Sequence, residues 1–218
     1  MNQVRKIWDA PTRLVHWALV VLIPFSWWTH DDHMDWHLMS GYAVLGLLIF
    51  RLLWGFVGST TARFTHFVRA PGEVLGYLPS LLTRERSQFT GHNPLGGWSS
   101  LVLLFALLSQ LVSGLFAVDV DGLESGPLSY RVDFDLARQF ANWHETSFIV
   151  LQVLIVVHIA AVLFYLVYKR SNLIRSMITG SGISNDAQPI TFASWWRIGC
   201  VTIVAVFVAW WVAAGFQL

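Results

Sequence analysis

Five stretches of the chain, 14–29, 36–57, 95–118, 142–168 and 198–218, are almost wholly apolar. A helix needs roughly 20 such residues to cross a hydrocarbon core of ~30 Å. The pattern therefore predicts an all-α integral membrane protein: a four-helix transmembrane bundle and a fifth, C-terminal transmembrane helix. The first stretch is short and holds Pro24, which membrane helices tolerate because neighbouring groups satisfy the freed carbonyl. A polar connector, 30–35, separates the first two stretches. The longer connector before the third carries an apolar piece, 74–82, too short to cross. It predicts an interfacial helix interrupted by Pro79. No low-complexity tract or short-period repeat occurs, and little chain remains for a separate soluble core. Residues 1–180 form the expected bundle, and 181–218 a linker with the additional helix.

Composition sharpens this picture. Only 12% of the 218 residues are charged, against about 25% in soluble domains. The net charge of +1 argues against a basic nucleic-acid-binding surface. Trp27, Trp28, Trp36, Trp98 and Trp143 fall near segment ends, where interfacial aromatics are favoured. Cys200 is the only cysteine. One thiol makes no internal disulfide, no four-cysteine iron–sulfur site and no thioether-linked haem. No A-x-A-like cleavage site follows the first stretch, which predicts a retained span rather than a signal peptide.

Charge asymmetry sets the expected orientation. Arg5, Lys6 and Arg13, then Arg63, Arg69, Arg84 and Arg86, then Lys169, Arg170, Arg175 and Arg197 share one side if the spans alternate. The opposite side holds Arg131 and Arg138 among Asp31, Asp32, Asp35, Asp119, Asp121, Glu124, Asp133 and Asp135. The basic side is expected to be cytoplasmic, with the N-terminus inside and the C-terminus outside.

Four of the eight histidines fall in or at the head of apolar spans: His16, His37, His144 and His158. Ionisable side chains there mark functional sites, because burying them is costly. His144 and His158 are fourteen residues apart, which returns within about 40° of one helix face and separates them by about 21 Å. His37 begins its span on the outer side, as His144 does; His16 and His158 share the inner half. These two depth-matched pairs suit two stacked haems. Neutral imidazole brings no charge into the bilayer, and two axial nitrogens favour electron transfer over oxygen activation. Gly41, Gly46 and Gly114 would let helices or a porphyrin face approach. Ordinary small-residue packing explains them equally well, and periodicity alone names no cofactor.

Other motifs carry less. The sequence around His144-Glu145 starts like a zinc-protease H-E-x-x-H, but Phe148 occupies the second histidine position. His30 and His33 among Asp31, Asp32 and Asp35 read as a solvated polar turn rather than a metal site. His66 and His92 read as surface or helix-end residues of the cytoplasmic loop. Arg13 and Arg51 are candidates for haem propionate contacts through charge-assisted hydrogen bonds, or are simple positive-inside anchors.

The run Trp143-His144-Glu145-Thr146 followed by His158, the second-span set His37, Gly41 and Arg51, and His16 after Arg13 closely resemble the prokaryotic cytochrome b561 family. The run from Gly91 through His92, Asn93 and Pro94 to Trp98, and the stretch Asn172 to Met177, resemble the branch shared with b-type cytochrome subunits of nickel–iron hydrogenases. The likeness covers about residues 5 to 180. It implies a haem-binding bundle with His16, His37, His144 and His158 as axial ligands to two non-covalent haem b groups, exchanging electrons with the quinone pool. The fifth helix departs from the family's four-helix pattern.

The resulting expectation is a di-haem cytochrome of the bacterial inner membrane. It would carry electrons between a quinone and a periplasmic partner, either a c-type cytochrome or a redox-enzyme subunit, alone or within a respiratory complex. Quinol oxidation by this chain would make it an oxidoreductase; a carrier role leaves the chemistry to its partner. Two rivals remain at this level: a histidine-relay proton or ion transporter, and a structural membrane anchor.

Overall fold

The computed structural model describes residues 3–84, 89–184 and 189–216. Arg86, one of the basic residues setting the expected orientation, lies outside them, as do the last two residues of the fifth stretch.

Three of the long helices among the described residues begin where a side chain satisfies a free N–H group. Asp9 opens α1 (Ala10–Trp28) by accepting from the Thr12 amide at 2.9 Å, with Pro11 in the first turn. Asn93 opens α5 (Pro94–Phe116) by accepting from Gly96 at 2.7 Å. Asp133 opens α6 (Phe134–Val167) through Leu136 at 2.9 Å. The remaining helices are α2 (Met34–Val57), the short α3 (Phe64–Phe67), α4 (Pro71–Tyr77) and α7 (Leu173–Thr179), and α8 (Trp195–Ala213). The expected interfacial helix lies slightly upstream, in α4. Pro79 falls in the 3-10 turn Leu78–Leu82 that follows it.

Among the described residues, four helices can cross a membrane by length and composition: α2, α5, α6 and α8. α1 is long enough, about 28 Å at 1.5 Å per residue. Pro11, Thr12, Arg13, His16 and Ser26 dilute its apolar character, and it is absent from that set. It packs along α2, with Val15 in a buried cluster that includes Phe50, Trp54, Val201 and Ala205. α6 starts eight residues before the expected span and runs for about 51 Å, longer than the hydrocarbon core, so its first turns project beyond it.

Between lipid-embedded helices the hydrophobic effect offers little, and close packing with interhelical hydrogen bonds does most of the holding. Leu48 and Trp54 are completely buried. The Trp54 indole N–H donates to Asp9 Oδ2 at 2.9 Å, tying the start of α1 to α2. Gly46 on α2 faces Ala209 of α8.

The two ends of the bundle are built differently. At the basic end, the strand β1 (Gln3–Lys6) pairs antiparallel with β2 (Ser181–Ser184), a small ribbon the apolar pattern does not reveal. The ribbon follows Gly180, whose left-handed φ of 78° closes α7. Arg197 donates to the Val57 carbonyl at 3.2 Å, and Thr60 meets Thr191. Lys169, 2% exposed, donates to the carbonyls of Ser80 and Thr83 at 2.6 and 2.7 Å, stapling the α4 segment over the bundle. At the acidic end, Tyr130 in the α5–α6 connector donates to the Gly215 carbonyl. α8 thus runs the full height of the bundle, from Val57 at one end to Tyr130 at the other.

Candidate functional site

His37 stands one turn into α2 and His144 on α6, both at the acidic end. Their rings face each other with centroids 6.0 Å apart and planes at 84°. His37 Nδ1 lies 2.9 Å from the Ser26 carbonyl, and His144 Nδ1 lies 2.9 Å from the Gln110 carbonyl. A carbonyl can only accept, so each Nδ1 is the protonated nitrogen and each Nε2 keeps its lone pair. Metal-bound histidines characteristically donate their second nitrogen in this way. Two metal–imidazole bonds of about 2 Å, with the distances from nitrogen to ring centre, add up to roughly 6 Å. The spacing of the two ring centres is that of two imidazoles sharing one metal atom.

Gly114 makes this arrangement possible. A Cβ there would come within 2.7 Å of His144 Cε1, so only glycine lets the ring lie flat against α5 and reach the Gln110 carbonyl. An added Cβ at Gly41, one turn beyond His37, meets nothing within 4 Å. That surface can accept a flat macrocycle. The His144 Nε2 atom also sits 3.1 Å from the Gln110 amide nitrogen.

At the basic end, His16 of α1 and His158 of α6 lie within electrostatic reach of each other. His16 Nδ1 is buried with no hydrogen-bond partner, and its ring packs edge-on against Trp17 with centroids 5.1 Å apart. Arg51 is buried: it donates to the Ala62 carbonyl at 3.3 Å and lies over the rings of Phe64 and Phe67. It is not a solvent-facing anchor. Arg13 donates to the Ile178 carbonyl and keeps a buried Nε with no partner.

His92 departs from the surface position expected of it. The residue is partly exposed, but Nδ1 is sealed from solvent and unpartnered. Its ring packs between Trp8 and Phe67, with Ser100 Oγ 3.0 Å from Nε2. Burial first, then the neighbouring Arg51, His158, His66 and His16, push its pKa down to about 3. In sequence, only its place just before the Asn93-Pro94 helix start hinted at a role inside the fold. Among the described residues no group of three or more His, Cys, Asp or Glu could hold a metal ion. His30 lies 3.4 Å from Asp31 on the exposed turn.

Apolar helices long enough to cross a bilayer define a multi-pass membrane protein, and His37 and His144 on two of them bring their rings together. Residues 7–180 match the family described as prokaryotic cytochrome b561, and the chain belongs to that family. It is accordingly a membrane b-type cytochrome, and its chemistry is electron transfer through haem b. A similar protein is the "Probable Ni/Fe-hydrogenase B-type cytochrome subunit" of Bradyrhizobium diazoefficiens. It is 22% identical over 207 residues, covering 80% of this chain and 84% of that protein. No solved structure matches the chain.

Proposed function

We propose that this chain is a di-haem cytochrome that carries electrons across the bacterial inner membrane, between the quinone pool and a redox partner on the opposite side. Haem b, when bound, supplies a one-electron iron couple. The chain's own part is to hold, orient and seal it. His37 and His144 serve as axial ligands to the outer haem, and His16 and His158 to the inner one. The Ser26 and Gln110 carbonyls fix the outer ligands in the tautomer that binds metal through Nε2. Arg51 and Arg13 would contact propionates at the basic end.

In this reading the basic end, the N-terminus included, faces the cytoplasm. Residues 1–180 carry the haem sites, and 181–218 add a lipid-facing helix. The partner is a periplasmic c-type cytochrome or the redox subunit of a larger complex. The hydrogenase-type name of the similar Bradyrhizobium protein favours the second.

The observation that carries this proposal is the facing pair His37 and His144, with both Nδ1 atoms already bonded to carbonyls. Haem-to-protein stoichiometry and low-temperature reduced spectra test it. His37→Ala or His144→Ala should each remove or convert to high-spin one haem, and the double variant should add little, because groups serving one site are not additive. His16→Ala and His158→Ala should behave alike on the other haem. Full haem content in His144→Ala would refute the assignment. Reduction of the purified protein by a quinol analogue, with no other subunit present, would make it an oxidoreductase rather than a carrier.

A further inference from the structure

α7 is tied to α1 by two side chains at the basic end. Arg13 donates to the Ile178 carbonyl, and the Trp17 indole N–H donates to the Met177 carbonyl at 3.2 Å. Both carbonyls belong to the last turn of α7, which a helix leaves without internal partners. Beside this joint runs a groove of about 490 Å³, lined by Ala10, Arg13, Leu14, Trp17 and Ile178. A second groove of about 300 Å³ shares Ile178 and reaches Leu166 of α6, with Ile174 and Arg175 in its wall. Both volumes fall within the roughly 300–1,000 Å³ of small-molecule sites.

The lining and the position specify the occupant. Leu14, Trp17, Leu166, Ile174 and Ile178 give walls of carbon, which suit acyl chains. Each groove also has one guanidinium, Arg13 in the first and Arg175 in the second, and neither has a carboxylate among its lining residues. Asp9, at the start of α1, is buried and already engaged with Thr12 and Trp54. Arg175 is exposed, and its guanidinium has no partner among the described residues. As for depth, α6 can cross a membrane and ends at Val167, one residue past Leu166. The grooves therefore lie where hydrocarbon gives way to headgroups. Trp17, an amphipathic ring with its N–H on a carbonyl, suits the same level. A small soluble anion would gain nothing from the apolar walls, and a neutral amphiphile nothing from the charge.

We propose that the paired grooves hold an anionic phospholipid, with its phosphate on Arg175 and its two chains divided by Ile178. Guanidinium donors match phosphate oxygens in pairs. Arg13, with one donor committed to Ile178, adds positive charge on the far side. The site needs only that the basic end lies at a bilayer surface, and it is independent of the histidine ligands.

Native mass spectrometry of the delipidated, haem-loaded protein tests this, with dioleoyl phosphatidylglycerol as the probe. Dioleoyl phosphatidylcholine, with the same chains and a zwitterionic head, is the comparison. The parent should retain the anionic lipid severalfold more tightly. Arg175→Gln should weaken that lipid about fivefold, the effect of one cation beside an anionic headgroup, and leave the zwitterionic lipid unmoved. Arg175→Lys should keep most of the preference. Ile178→Trp, which fills the shared wall, should weaken both lipids; if it does not accumulate, the Arg175 pair decides. Haem content should stay that of the parent throughout. Equal retention of the two lipids by the parent would overturn the proposal, as would anionic-lipid binding unmoved in Arg175→Gln. Displacement of both lipids alike by a short-chain quinone analogue would also overturn it and give the grooves to a quinone.

Discussion

His144 is held in place by a side chain that is missing. Gly114 leaves the ring within contact of the α5 backbone, and even a methyl group would overlap it. Gly114→Ala should push the imidazole off the Gln110 carbonyl, at a cost of about 1–3 kcal/mol typical of overpacking. The outer haem should be lost or become high-spin while the inner one stays, which visible spectra of the purified variant will report. His92 gives a second test, in pH. Its imidazole is held at about 3, against an ordinary value near 6.5, so the folded protein keeps it neutral where the unfolded chain takes up a proton. Its contribution to stability is complete above pH 6.5 and is lost as the pH falls toward 3. Thermal unfolding midpoints between pH 7 and 4 should drop less steeply in His92→Asn than in the parent. Parallel slopes would show that His92 is not a source of acid sensitivity.

At the scale of elements, the helix that carries His16 is diluted by polar residues and is tied to its neighbour by specific bonds. Asp9 caps α1 and accepts from Trp54 of α2. His16 follows seven residues, or two turns, later on the same face. Trp54→Phe keeps the bulk and removes the donor, which should cost about 1.5–3 kcal/mol for a hydrogen bond to a charged group. Inner-haem retention on heating should fall before outer-haem retention does; simultaneous release would argue against α1 as the weak element. The apolar runs made α2, α5 and α8 legible from sequence within a few residues, because hydropathy follows the lipid-buried part of a helix. The same measure missed the first turns of α6, where Phe134, Leu136, Ala137 and Phe140 form an amphipathic prelude capped by Asp133. It was also blind to the β1–β2 ribbon, whose register depends on a partner some 180 residues away. The meeting of His37 and His144 was visible as spacing and depth. Gln110 was not, since a lone amide in an apolar run gives no period, and the burial of His92 depends on Trp8 and Phe67 arriving from distant segments. Lys169, counted in the sequence as one of many basic-side charges, is instead a buried staple.

For the molecule as a whole, the two ends carry opposite charge, and α8 joins them. A reporter fused after Leu218 should therefore be periplasmic and one near Gly182 cytoplasmic; the same side for both would mean that α8 does not span. The acidic end then becomes the face that a periplasmic partner meets. Besides Asp31, Asp32 and Asp35 in the first turn, five carboxylates lie between α5 and the start of α6: Asp119, Asp121, Glu124, Asp133 and Asp135. They are not equivalent. Asp119 accepts from the Leu123 amide and Asp133 caps α6 through Leu136, so neutralising these two would damage the connector itself. Asp121, Glu124 and Asp135 are exposed; changing them to Asn, Gln and Asn removes three charges and spares both backbone bonds. Charge complementarity acts mainly on association rate, and salt screens it over about 10 Å at 0.1 M. Electron exchange with a basic c-type cytochrome should slow severalfold in the triple variant at low ionic strength. The difference should vanish at high salt, where the parent slows to meet it. Haem content, unchanged in both proteins, serves as the control. Equal rates at low salt would mean that the acidity of this end merely reflects the exclusion of basic residues from it, and that the partner docks elsewhere.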